Sequence, residues 1–119
     1  MLPRRERLTS SGAFRAVVAR GRSFRGRFFS LYYLPRSGGP SRLGVSAGKK
    51  VGGAVQRNRA KRLLREAFRA LRGRLSGPAY VVLVARSDAA AAGLAQVRAE
   101  LESLMQRARL LSPPAGEAS

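Results

Sequence analysis

The sequence predicts an α+β fold: one domain in which a mixed sheet is packed by helices, in the order α-β-β-α-β-α. Three observations predict it. Segments with apolar residues at helical spacing alternate with short runs rich in aromatic and β-branched residues. Turn residues punctuate the boundaries between them. Finally, no internal repeat and no long linker divides the 119 residues, a length that suits one modest core.

Taken in order, Thr9-Ser10-Ser11 supplies capping hydroxyls for a helix through Ala19, with Phe14, Val17 and Val18 on one side and Gly21 placed to end it. A short strand fits around Ser23 and Phe24. Arg27 to Leu34 reads as a strand because aromatics favour a half-buried pleated surface. Residues 36–41 form a Ser, Gly and Pro turn cluster. The weak alternation over Arg42 to Lys49 then predicts a strand pairing with the previous one as a hairpin. Gly52 and Gly53 precede a helix from Ala54 to about Leu75, closed by Ser76-Gly77-Pro78. Tyr80 to Ala85 is continuously apolar and β-branched, the pattern of a buried strand. Residues 89–111 read as a second long helix, with Leu94, Val97, Leu101, Leu104, Met105 and Ala108 on its apolar stripe. The domain is thus expected over residues 1–111, opening on a flexible basic arm (1–8), with 112–119 a disordered tail.

The charge is large and unevenly placed. Lys and Arg number 24 against 6 Asp and Glu, a formal net charge of +18, so a folded domain of this composition needs an anionic partner. Residues 1–74 hold 20 of the cations and two of the acids, whereas residues 75–119 hold four of each, so the anion-binding surface belongs to the first 74 residues.

Absences narrow the chemistry. With neither His nor Cys, zinc fingers, an imidazole base, a thiol nucleophile and disulfides are excluded. The longest apolar run, Ala79 to Ala85, falls far short of the roughly 20 residues of a transmembrane helix. The charged N-terminus is followed by no apolar segment, which argues against a secretory signal. Residues 1–27, rich in Arg with Glu6 as the one acid, leave an organellar transit peptide as the alternative to folded protein. The expected location is cytoplasmic. Gly44 to Lys50 misses the phosphate-loop spacing by one residue and has Lys50 where a Ser or Thr would hold Mg²⁺. The six acids show no clustering of the kind a two-metal nuclease requires. Read from its residues alone, the chain is an RNA-binding protein without its own catalytic centre.

Two constellations carry the binding. At roughly 100° per residue, Ala60, Leu63, Leu64, Ala67, Phe68 and Leu71 fall in one stripe, while Lys61, Arg62, Arg65, Arg69 and Arg72, with Asn58 among them, fall on another face and Arg57 lies at the edge. Glu66 is the one acid in this helix, so most of these cations lack i,i+4 partners, and phosphates would relieve their mutual repulsion. Arg suits bidentate phosphate contact. Further upstream, Phe14, Phe24, Phe28, Phe29, Tyr32 and Tyr33 are interleaved with Arg15, Arg20, Arg22, Arg25 and Arg27, the combination that holds single strands by stacking. About half of these rings are expected to serve only the core.

The stretch from Arg42 to Arg69, centred on Arg57-Asn58-Arg59 and followed by Lys61-Arg62 and Arg65-Glu66-Ala67-Phe68-Arg69, resembles the signature of the bacterial ribonuclease P protein family. The resemblance extends upstream through Arg7-Leu8, Phe14, Gly21 and Phe29 to Tyr32 and downstream through Val81 to Arg86, covering about residues 4–110. It implies a ribosomal S5 domain 2-like fold with a left-handed βαβ crossover. It also implies that the protein is the subunit of a ribonucleoprotein endoribonuclease that removes the 5′ leader of precursor tRNA. The active site would lie on the RNA with Mg²⁺, and the partners would be the RNA subunit and precursor tRNA, with no membrane and no protein partner required. Carried over, Arg57, Asn58, Arg59, Lys61, Arg62, Arg65 and Arg69 would bind the RNA subunit, and Phe14, Val18, Tyr32, Lys49, Lys50 and Arg86 the leader. The sequence departs from the family pattern at Val18, where an aromatic is common, and at Ser87, where a second basic residue is common.

Two other classes compete. A ribosomal protein would usually place its charge in extended tails. A helix-turn-helix DNA binder needs a short helix directly before the basic one, where a strand pair is predicted instead.

Overall fold

Residues 79–85 are apolar on every position but Tyr80, and a strand hydrophobic on both faces is stable only where both faces are covered. In the computed structural model, which describes residues 6–8 and 10–111, that strand sits inside a four-stranded sheet. The first five residues of the expected arm, Thr9 and the tail at 112–119 lie outside the described residues.

The elements are α1 (Ser11–Arg20), β1 (Arg22–Arg25), β2 (Phe29–Pro35), β3 (Arg42–Ser46), α2 (Ala54–Leu71), β4 (Ala79–Ala85) and α3 (Leu94–Arg107), with short 3₁₀ turns at Lys49–Val51, Arg72–Arg74 and Ala89–Ala91. The sheet order is β1-β2-β4-β3, antiparallel except for the parallel β3–β4 pair, which α2 connects as a βαβ unit. This overturns the expected hairpin between the second and third strands. The doubly apolar β4 takes the interior position and separates them, and the 36–41 segment passes over its N-terminal end. There the Arg36 amide donates to the Pro78 carbonyl at 2.9 Å and the Ala79 amide to Ser41 Oγ at 3.0 Å.

Alternation along the strands divides the sheet into two faces. Phe29, Leu31 and Tyr33 of β2, Leu43 of β3, and Val81 and Leu83 of β4 meet Leu64, Ala67, Phe68 and Leu71 of α2 and Val97, Leu101, Leu104 and Met105 of α3 in the main core. Each of the larger side chains among them contributes roughly 1.5–3 kcal/mol. The opposite face carries α1, where Val17 of the helix and Val82 of the sheet are both buried. Ser10 Oγ caps α1 by accepting from the Ala13 amide, and the helix ends at Gly21 as expected.

Three helix boundaries differ from expectation, one being the end of the last helix at Arg107 instead of residue 111. The basic helix leaves α geometry at Leu71 and closes through the 3₁₀ turn. The last helix begins at Leu94 instead of residue 89, because Ala89–Ala91 form a separate turn and Gly93 stands at the N-cap, its amide donating to Gln96 Oε1 at 2.9 Å. Leu94, expected on the buried stripe, is consequently 46% exposed. After α3, Arg109 at φ 60 reverses the chain so that Leu110 and Leu111 return to the core beside Leu75. Among the described residues no helix is long and apolar enough to cross a membrane.

Candidate nucleic-acid interface

The α2 sequence sorts its side chains by spacing alone. Ala60, Leu63, Leu64, Ala67, Phe68 and Leu71 are buried, as the apolar stripe predicts, so the remaining positions must face solvent. Asn58, Arg62, Arg65 and Arg69 are exposed, and Arg57 and Lys61 are half-buried at the margin beside them. These six lie on one stripe of about three turns.

The acids explain why the stripe stays positive. Glu6 pairs with Arg72 at 2.7 Å, Glu102 with Arg74 at 2.6 Å, and Asp88 with Arg27 at 3.8 Å. Glu66 lies 3.8 Å from Arg69, a solvent-exposed i,i+3 pair worth a few tenths of a kcal/mol at most. Glu100 is occupied by backbone, accepting from the amides of Arg27, Phe28 and Phe29 at 2.9, 2.8 and 3.3 Å. Among the described residues, therefore, Arg57, Lys61, Arg62 and Arg65 have no carboxylate partner, and the Arg57 Nε is buried without any acceptor.

Arg59 is different in kind. Its Nε donates to the Ala90 carbonyl at 2.9 Å and its Nη2 to that of Ala92 at 3.2 Å, so two of its donor groups fasten α2 to the turn after β4. The Arg-Asn-Arg spacing gives no sign of this, since only the fold brings residue 90 to residue 59.

The residues expected from the resemblance to bind a leader gather on the other face of the sheet. The register aligns Ser23, Tyr32, Val82 and Gly44 in one row and Arg25, Ser30, Val84 and Ser46 in the next. Phe14 of α1 rests on the first row at Gly44, where an added Cβ would lie 2.9 Å from Phe14 Cδ2, so only glycine admits the ring. Beyond α1, Ser23, Arg25, Ser30, Tyr32 and Arg86 line a groove of about 320 Å³. Tyr32 and Arg86 are half-buried there. Lys49 and Lys50, both exposed, follow β3 at the end of the sheet where Arg86 follows β4, because those two strands are parallel. Val18 is half-buried on α1. Of the six aromatics between residues 14 and 33, Phe28, Phe29 and Tyr33 are core, and Tyr33 Oη donates to the Ala108 carbonyl at 3.2 Å. Phe24 stacks with Tyr33 at 6.4 Å and lies beneath Arg22 and Arg107.

Among the described residues no three acidic side chains converge on a position that a metal ion could occupy. Two basic surfaces thus lie on opposite faces of one sheet, one a helical stripe and the other a groove with aromatic walls.

Sequence and fold both have relatives among known proteins. Residues 2–109 match the family model of Ribonuclease P. The chain is 41% identical over 113 residues to the ribonuclease P protein component of Shouchella clausii, covering 94% of this chain and 93% of that protein. With the component of Symbiobacterium thermophilum it is 44% identical over 106 residues, 88% and 92% of the two chains. The solved RNase P protein of Staphylococcus aureus superposes with a TM-score of 0.79 at 28% identity, over 90% of this chain and 98% of that one. That of Thermotoga maritima gives 0.76 at 29% identity, over 87% and 97%. Sequence and fold agree, and the chain belongs to the ribonuclease P protein family.

Proposed function

We propose that this chain is the protein subunit of a ribonucleoprotein endoribonuclease of the ribonuclease P type, acting in the cytoplasm to give tRNAs their mature 5′ ends. The α2 stripe binds the catalytic RNA subunit through Arg57, Asn58, Lys61, Arg62, Arg65 and Arg69, with Arg59 contributing the donors that its bonds to the two carbonyls leave over. The groove beside α1 takes the single-stranded 5′ leader of precursor tRNA. In it the ring of Tyr32 stacks on a base, Phe14 and Val18 form the apolar wall, and Lys49, Lys50 and Arg86 donate to phosphates. The observation that carries this reading is the presence of two cationic surfaces on opposite faces of the sheet, the helical one holding Glu66 as its one acid, in an exposed pair with Arg69. A single small domain can then lie between two RNAs and neutralise the repulsion between them.

The five described acids are each engaged with a cation or with backbone amides, so the described residues present no fitting Mg²⁺ site. We assign the Mg²⁺ that assists phosphodiester hydrolysis mainly to the RNA subunit, whose phosphate oxygens are the hard ligands the ion prefers. Neither a membrane nor a second protein is needed for this work.

Reconstitution tests the reading. Mixed with its RNA subunit at low Mg²⁺, the chain is expected to restore release of the 5′ leader with a 5′-phosphate left on the tRNA, and the chain alone to cleave nothing. Cleavage by the purified protein without RNA would overturn it.

A further inference from the structure

The α1 helix crosses its sheet face from Gly44, where Phe14 rests, toward Tyr33, whose carbonyl closely approaches Gly21, and among the described residues Tyr32 on one side and Leu34, Tyr80 and Arg42 on the other remain half-buried. One side holds the groove already described. On the other, the next row of the register is Leu34, Tyr80 and Arg42. Four residues of β4 separate Val84 on the first side from Tyr80 on the second, about 13 Å at the usual strand rise.

Arg36 is fixed over this second surface. Its guanidinium carbon lies 4.5 Å from the centre of the Tyr80 ring, and its Nη1 donates to the Pro40 carbonyl. Gly39 closes the cradle. It adopts φ +80, and a Cβ there would stand 3.0 Å from the Arg36 Nη2, so a side chain is both strained and obstructed. Arg42, beside Tyr80 in the register, is half-buried with its Nε lacking any acceptor. Neither arginine pairs with a carboxylate among the described residues, whose five acids are engaged elsewhere.

A guanidinium held over an aromatic ring, beside a second arginine with no carboxylate partner among the described residues, suits a planar group joined to an anion. We infer that Arg36, Tyr80 and Arg42 form a second single-strand subsite, on the far side of α1, that takes one nucleotide. The base stacks on the exposed face of the Arg36 guanidinium, and its phosphate accepts from Arg42. The inference rests on the RNA-binding reading above. An unpaired nucleotide of either RNA has the right chemistry, the distal leader or a single-stranded segment of the RNA subunit.

The test uses holoenzyme reconstituted with Arg36→Ala, Arg36→Lys or Arg42→Gln. Two affinities are measured, that of the holoenzyme for precursors with a short or a long leader, and that of the protein for the RNA subunit. If the leader supplies the nucleotide, Arg36→Ala weakens long-leader binding roughly five- to tenfold and leaves short-leader binding unchanged. If the RNA subunit supplies it, assembly weakens by a similar factor and the ratio between leaders stays constant. Arg36→Lys keeps the charge but not the flat stack and retains most of the loss. Wild-type values for both affinities, in variants that melt like the wild type, would overturn the inference while leader removal by the wild-type holoenzyme left the parent reading intact. Should Arg36→Ala fail to fold, Arg42→Gln decides by the same two readouts.

Discussion

Arg59 and Ala90 are joined across the molecule, the Arg59 Nε donating to the Ala90 carbonyl at 2.9 Å and tying the basic helix to the turn that follows Arg86. Arg57 and Arg62, two and three residues away, have no such attachment among the described residues. Arg59→Ala is therefore expected to lower folding stability by about 0.5–1.5 kcal/mol by removing the tie to the two carbonyls, and to flatten the salt dependence of RNA-subunit binding by less than one phosphate contact, since only its leftover donors face the RNA. Arg62→Ala with Arg65→Ala should do the reverse, flattening the slope of log K against log salt by roughly 0.7–0.9 for each phosphate no longer neutralised. Equal changes in slope for the single Arg59 variant and the pair would refute the distinction.

Glu100 is the one described acid without a cation partner, and its carboxylate closes the turn between β1 and β2 by accepting from three successive amides. Replacement by Ala should destabilise the fold by about 2–3 kcal/mol in urea denaturation, with Gln losing less because one acceptor oxygen remains. A Glu100→Ala protein as stable as the wild type would remove this role.

Gly44 sets how closely Phe14, and with it α1, approaches the sheet. Gly44→Val should push the ring outward and widen or distort the groove beside α1. Binding of leader-bearing precursor is expected to fall about tenfold while RNA-subunit affinity holds, since a misplaced wall forfeits the stacking of one base. A fall of the same size in both affinities would mean that the substitution disturbs the whole domain.

Tyr32 lines the groove half-buried, unlike its neighbours Leu31 and Tyr33 in the core. Tyr32→Ala should weaken binding of leader-bearing substrate more than that of mature tRNA, by roughly 1–3 kcal/mol of stacking. Equal losses for the two RNAs would exclude stacking on the leader.

How far the sequence carries can be seen in individual residues. The buried stripe of α2, from Ala60 to Leu71, is legible because helical periodicity is a local property, and the cationic stripe follows from it. The isolation of those cations is partly legible too, since acids are scarce. The order of strands is not legible. The run at 79–85 announces a buried strand, but only the long-range competition for the covered position puts β4 between β2 and β3. Leu94 is misplaced by periodicity because Gly93 restarts the helix one residue before it, and a glycine inside an apolar pattern does not reveal whether it caps or continues. Arg59 and Glu100 take their roles from partners 31 and 73 residues away. No spacing rule reaches that far. Gly44 falls between these cases, its need for glycine being visible only once Phe14 lies upon it.

The central claim is that one chain binds two RNAs through opposite faces of its sheet. The most direct measurement is the ratio of holoenzyme affinities for leader-bearing and leaderless tRNA, taken together with affinity for the RNA subunit, in an Arg62→Ala/Arg65→Ala protein and a Tyr32→Ala/Arg86→Ala protein. The first pair should weaken assembly and preserve the ratio, and the second should lower the ratio and preserve assembly. Both pairs moving both quantities together would contradict it.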